Sequence, residues 1–314
     1  MTDLVTVGET TLRFSPPQGE RIATAGEFAA HAGGPESNVA AAAATLGLDT
    51  VWLSKLPDTA LGRRIVGDLR RHGVRTGVVW AESGRASTAF VERGETAGAT
   101  TVRDYENAAV TTMTAEDVPM GVVRDAETLF VSAATPARSE ALLETTAALL
   151  DVAGEAGTTR AFDTRFTATG LDPETARDLY DELLSDVEIL IVDEGDAEAV
   201  FGLDGDVVPA GHSLRTRYDC ETVVVTRDGT DHAVVGLAGE SIYEVPPFEA
   251  TTRDPAGVHD AFVGGFLAGH LRGDGVHEAL RDGAATAALK RTIVGDAVVG
   301  SRRDVTAIRD RRST

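Results

Sequence analysis

The chain has 314 residues, with 50 Asp and Glu against 29 Lys and Arg, a net charge of −21 and a pI near 4.7. That balance argues against nucleic acid and anionic membrane surfaces as partners, since both recruit basic faces. Only two of the 29 cations are lysines, Lys55 and Lys290, and aromatic residues make up 5%; such a surface suits a protein kept hydrated in molar salt, where the Debye length is about 3 Å and self-repulsion is screened.

The N-terminus, Met1-Thr-Asp-Leu-Val-Thr-Val-Gly, enters a strand directly, without a signal peptide. Apolar, β-rich runs follow at Leu4–Val7, Thr50–Leu53, Thr128–Ser132, Arg160–Asp163, Glu188–Val192 and Thr222–Thr226. Helical patterns lie between them at Ser37–Leu46, Leu61–His72, Ala137–Val152, Pro173–Leu184, Asp196–Phe201 and His212–Arg217. This alternation predicts an α/β fold, a mostly parallel sheet with helices on both faces. The C-terminal third supplies two helices rich in Ala and Gly, Gly257–Leu271 and Val276–Arg291. Two stretches, about 11–25 and 86–104, break the pattern with short alternating segments. A lone Cys220 beside an apolar run forms no internal disulfide and fits a reducing cytoplasm. No apolar run approaches the length of a membrane span.

The segment Asp254-Pro-Ala-Gly257-Val258-His259-Asp260 places a glycine and a carboxylate where a loop becomes a small-residue helix. Backbone N–H groups at a helix start are unpaired, and the dipole favours negative charge there. Asp260 can take a proton from an alcohol while amides of Gly257, Val258 and His259 hold phosphoryl oxygens. Far upstream, His31-Ala-Gly33-Gly34-Pro-Glu-Ser-Asn38 leads into a run of alanines. Gly33 and Gly34 permit close approach of a ligand, and the Asn38 amide both donates to and accepts from hydroxyls.

These two signatures resemble those of the ribokinase/PfkB family of carbohydrate kinases, which read G-G-x-x-x-N-x-A and D-T-x-G-A-G-D. Asp254, Gly257 and Asp260 match the second; Pro255, Val258 and His259 depart from it. The resemblance implies a ribokinase-like three-layer sandwich in one domain, 1–314, with a β lid in the two irregular stretches. It implies ATP and Mg²⁺, a monovalent cation such as K⁺ near the phosphate loop, and a homodimer through the lid. Asp193 and Asp196 stand where the family carries N-x-x-E for the metal, and both offer hard oxygen ligands. Thr226, Asp228 and Gly229 resemble the family's T-x-G turn beside the nucleotide phosphates. Ala279–Ala288, with Ala285 central, resembles the helix lining the adenine site.

The N-terminal half is most similar to the 2-keto-3-deoxygluconate kinase branch. That branch reads Y-x-R where this chain has Arg103-Asp-Tyr105, and D-x-N-x-R where it has Asp163-Thr-Arg165. Arg103 and Arg165 each stand two residues from the expected position; on a strand, such a shift keeps the same face. A guanidinium clamp suits an acid sugar. Ala89 replaces the family's lid tyrosine, and fructose is the competing substrate. A non-catalytic sugar- or nucleotide-binding regulator remains open, with His259 in the loop in its favour. A dinucleotide oxidoreductase lacks support, because Val7-Gly-Glu-Thr-Thr-Leu has no G-x-G-x-x-G.

Overall fold

A computed structural model describes residues 2–94, 98–185, 187–227 and 234–311. In chain order its elements are β1 (Thr2–Val7), β2 (Thr11–Ser15), β3 (Ala29–Gly33), α1 (Pro35–Thr45), β4 (Thr50–Pro57), α2 (Ala60–Arg71), β5 (Arg75–Ala81), β6 (Thr88–Gly94) and β7 (Gly98–Asp104). Then come α3 (Met120–Arg124), β8 (Ala126–Ser132), α4 (Glu140–Ala156), β9 (Thr159–Asp163), α5 (Phe166–Thr169), α6 (Pro173–Leu183), β10 (Ile189–Asp193), α7 (Glu194–Phe201) and α8 (Val207–Tyr218). The chain closes with β11 (Thr222–Thr226), β12 (Val234–Ala238), β13 (Ser241–Val245), α9 (Val258–Leu271), α10 (Val276–Arg291) and α11 (Arg302–Arg309).

Nine strands form one sheet in the order β13-β12-β11-β10-β9-β8-β1-β4-β5. All its pairs are parallel except those of β12 with β11 and β13. Residue alternation splits the core between its faces. Leu4, Phe130, Ala161, Ile191 and Val224 pack against α1, α9 and α10 through Val39, Phe266 and Leu280. Val5, Leu129, Phe162, Leu190 and Val223 pack against α4, α6 and α8 through Leu149, Leu179 and Leu214. Near-continuous apolar strands are what a sheet covered on both faces requires.

The six strands expected from the sequence are all present. The expectation missed β5, an edge strand in which Gly77 and exposed Arg75 dilute the pattern, and the antiparallel pair β12–β13 beyond β11. It started α8 too late, at His212; Pro209 sits in the first turn, where a missing N–H costs nothing. A second, four-stranded sheet, β3-β2-β6-β7, forms the lid. The first lid stretch was drawn too short, because β3 runs on to Gly33 and pairs antiparallel with β2.

Candidate active site

Parallel pairing runs outward from the β1–β8 seam in both directions, from β1 to β4 and from β8 to β9. Ligands of open parallel sheets lie beyond the strand ends at such a switch point. A cavity of about 370 Å³ opens there beneath the lid, lined by residues that follow β1, β8 and β9 and by the start of α9.

Asp260 lies at its floor, 3% exposed, in the first turn of α9. Its Oδ2 accepts a hydrogen bond from Asn38 Nδ2 at 2.8 Å. Its Oδ1 has no hydrogen-bond partner and faces Arg165 Nη2 at 3.4 Å. The turn before it needs glycine: Gly257 has φ +70, and a Cβ there would lie 1.9 Å from the carbonyl O of Asp296. Gly34 is constrained as well, since its Cβ would lie 2.2 Å from the carbonyl O of Glu9. One expectation fails: the Val258 N–H is not free for a ligand, because it donates to the Pro255 carbonyl at 3.3 Å. The first helical bond of α9 is Ala261 N–H to Gly257 O, so the amides of His259 and Asp260 precede any intrahelical acceptor.

Arg103, on β7, lines the cavity together with Tyr105. Arg165 also reaches it, though not from a strand. β9 ends at Asp163, and Arg165 has left-handed backbone (φ 40), a strained conformation for a residue with a Cβ. Such strain aims its guanidinium at Asp260, and Asp260, Asp163 and Asp196 raise its pKa against the opposing effect of burial. Arg138 was missed by sequence reading. It lies 4.1 Å above the Tyr105 ring, pairs with Glu9 Oε2 at 3.2 Å and donates to Ala168 O at 2.9 Å. Arg13, also missed, is buried between Asp254 (3.4 Å) and Asp296 (3.1 Å), tying β2 to the loop before α9. Four arginines line the cavity beside Glu9, Glu36, Asp260 and Asp296, and Arg13, Arg138 and Arg165 are each paired with a carboxylate.

Glu36 is fully buried two residues before Asn38 and lines the same cavity. Its Oε1 accepts from Ser132 N, Ser132 Oγ and Thr135 Oγ1 at 2.7–3.0 Å, while Oε2 is buried without a partner. Burial pushes its pKa up to about 7, against these hydrogen bonds. Burial likewise raises Asp296 to about 6, opposed by Arg13. An acid inside a small-residue helix start was the available sequence signal for Glu36.

A second cavity of about 350 Å³ lies on the other side of the α9 start, lined by Asp193, Thr226, Val258, His259, Phe262 and Ala288 among others. Asp193 caps α7, accepting from Gly195 N (2.9 Å) and Thr226 Oγ1 (3.3 Å). Asp196 is buried and accepts from Thr164 Oγ1 (2.6 Å) and Phe166 N (3.0 Å), away from that cavity's wall. Among the described residues no group of three or more His, Cys, Asp or Glu is arranged to hold a metal. Asp193, a hard carboxylate beside open space, fits Mg²⁺, which keeps several waters and shares its ligands with phosphates, whereas Asp196 lies behind that wall. Ala285 does not reach the cavity: it is fully buried beside Leu46 and Ala268. Ala284 and Ala288, four apart on another face of α10, line it instead. Asp228 and Gly229 lie outside the described residues.

A buried, oriented carboxylate between two cavities, under a β lid on a parallel sheet, defines a phosphotransferase whose acceptor is a small hydroxylated molecule. The chain belongs to the pfkB family of carbohydrate kinases, whose model matches residues 1–299. It is 47% identical over 298 residues to the 2-dehydro-3-deoxygalactonokinase of Haloferax volcanii, covering 95% of this chain and 93% of that one. Its fold superposes with a TM-score of 0.91 on the crystal structure of 2-dehydro-3-deoxygluconokinase from Thermotoga maritima, at 27% identity and 99% and 98% coverage. An E. coli protein described as a ribokinase II, solved with ATP and Mg²⁺, shares the fold at a TM-score of 0.88 and 18% identity, over 99% of this chain and all of that one.

Proposed function

We propose that this chain is an ATP- and Mg²⁺-dependent kinase of a 2-dehydro-3-deoxy sugar acid. 2-Dehydro-3-deoxygalactonate is its first substrate and the gluconate epimer its second. The observation that carries the reading is the cavity ending on Asp260 into which Arg103 and Arg165 are set, since a guanidinium pairs bidentately with a carboxylate. The Haloferax relative supports the galactonate epimer over the gluconate epimer expected from the N-terminal motifs.

The acid sugar binds beneath the lid, its carboxylate between Arg103 and Arg165, with Arg138 behind Tyr105. Gly33, Gly34 and the free Oδ1 of Asn38 meet its hydroxyls. Asp260 Oδ1 takes the proton of the attacking hydroxyl, and the amides of Gly257, His259 and Asp260 stabilise the transferring phosphoryl. The nucleotide lies in the second cavity near Thr226, with Asp193 on its wall towards the metal and Asp196 set behind it. Bound Mg²⁺ supplies charge neutralisation on the phosphates. K⁺ near the loop belongs to the proposal as a measurable requirement. The fully buried Lys290 already places an ammonium 3.0 Å from Ile293 O and 3.5 Å from Asp254 O beside that loop. A cytoplasmic single-domain enzyme, dimerising through the lid where Val102 is exposed, completes the reading.

ADP release in molar KCl with ATP and Mg²⁺ tests it, comparing 2-dehydro-3-deoxygalactonate, 2-dehydro-3-deoxygluconate and fructose. Turnover on either acid sugar with none on fructose is expected. Turnover on fructose alone overturns the acid-sugar assignment, and no turnover on any of them favours a binding role.

A further inference from the structure

At the position of the loop's last glycine in the family pattern this chain carries a side chain, His259, and its ring is held in place. His259 Nε2 lies 2.8 Å from Asp163 Oδ2, at the last residue of β9. The Asp163 side chain is 1% exposed, and its Oδ1 is buried without a hydrogen-bond partner. A carboxylate that deep needs a compensating positive charge or proton. The imidazole supplies it and yet remains open, with its side chain 21% exposed. It lines the second cavity, while the next residue, Asp260, lines the first. His259 therefore stands on the wall between the nucleotide and the attacking hydroxyl.

We propose that His259, held as an imidazolium by Asp163, is a catalytic residue that binds the transferring phosphate through its remaining Nδ1–H. The inference rests on the kinase reading above. The charged groups around the ring come from every neighbouring element: Asp163 at the end of β9, Arg165 after it, Asp260 on α9 and Asp196 on α7. Asp193, Arg227 and Arg291 lie further along the cavity. Burial works against the protonated ring, but Asp163 and Asp260 more than offset both burial and Arg165, so the pKa lies above the ordinary imidazole value. The positive charge at this point of the loop is fully present at low pH and is lost as pH rises through that raised value. An arginine in the same place would carry no such dependence.

The test is the affinity for a non-hydrolysable ATP analogue with Mg²⁺, measured by calorimetry in molar KCl at about pH 6 and about pH 8.5. Native protein is compared with His259→Gln and with His259→Gly, the family residue, each checked to be folded at the temperature of the measurement. At the lower pH the native protein is expected to bind roughly 10- to 100-fold more tightly than either variant, the scale of one charge-assisted hydrogen bond. At the higher pH that ratio should collapse towards one, and taking ratios cancels the ionisation of the nucleotide itself. In Asp163→Asn the collapse should move to lower pH, because the ring loses the carboxylate that keeps its proton. A ratio independent of pH, or an Asp163→Asn transition in the native place, overturns the assignment. The readout needs no sugar, so it is separate from the choice of substrate; native protein that binds no nucleotide would overturn the kinase reading and this inference with it.

Discussion

Asn38 and Asp260, 222 residues apart, meet through a 2.8 Å hydrogen bond from the Asn38 side-chain amide to Asp260 Oδ2. The contact joins the helix start after the lid to the helix start after the loop. It leaves Asp260 Oδ1 without a hydrogen-bond partner and facing the Arg165 guanidinium at 3.4 Å. The bond from Asn38 therefore fixes which oxygen of Asp260 faces Arg165.

Removing that donor tests the relationship. Asn38→Ala leaves Asp260 Oδ2 buried and unpaired, a cost of about 1–3 kcal/mol. We expect kcat to fall roughly 10- to 100-fold, with ATP affinity nearly unchanged. In Asn38→Asp a second carboxylate faces the first, so the acid limb of the kcat/KM profile should move to higher pH. Kinetics across pH for both variants check this, and a native profile in each would remove Asn38 from the machinery.

The arginine clamp predicts a selective loss. Arg138 is pinned by Glu9 and stacked on Tyr105, whereas Arg103 is exposed on the lid. Arg138→Ala and Arg103→Ala should each raise KM for the acid sugar by roughly 10- to 100-fold, the scale of a hydrogen bond to a charged group. The KM for ATP should be unaffected, and equal rises in both KM values would mean that the arginines only hold the lid.

Glu36 sets a pH dependence of stability. Its carboxyl holds its proton to about 7 in the folded chain, against 4.5 for an unperturbed glutamate. A pKa raised by folding gives stability that is complete below the unfolded value. That stability is lost as pH rises through this window and is flat above it. Melting temperature should therefore fall between about pH 4.5 and pH 7, and Glu36→Gln should flatten that part of the curve. Differential scanning calorimetry of both proteins measures it.

The acid excess predicts a stability that needs salt. With a net charge of −21, lowering KCl from molar to about 0.01 M lengthens the Debye length from about 3 Å to about 30 Å. Repulsion among surface carboxylates then acts unscreened. The melting temperature should drop steeply on dialysis and recover on restoring KCl; a salt-independent value would contradict this reading of the composition.

Much of this was legible in the sequence for a physical reason. Strands buried on both faces read as apolar runs, so β1, β4, β8, β9, β10 and β11 stood out, and Gly257 and Asp260 announced a loop entering a helix. Edge strands escaped because their half-exposed residues dilute the pattern, as in β5 and β13. Helix phase could not be set from a run of small residues, which is why Ala285 was expected at the cavity that Ala284 and Ala288 line. Partners across long separations left no local trace either. Arg138 with Tyr105, Arg13 with Asp296 and His259 with Asp163 are brought together only by the topology of the sheet.

The central claim is that Asp260 takes the proton of the attacking hydroxyl, and Asp260→Asn tests it most directly. Asparagine keeps the shape and the contact with Asn38 but removes the base. With 2-dehydro-3-deoxygalactonate, ATP and Mg²⁺ in molar KCl, ADP release should fall by about 10²- to 10⁴-fold while KM for both substrates changes little. A variant that retains a near-native rate would show that the proton leaves by another route and would contradict the account.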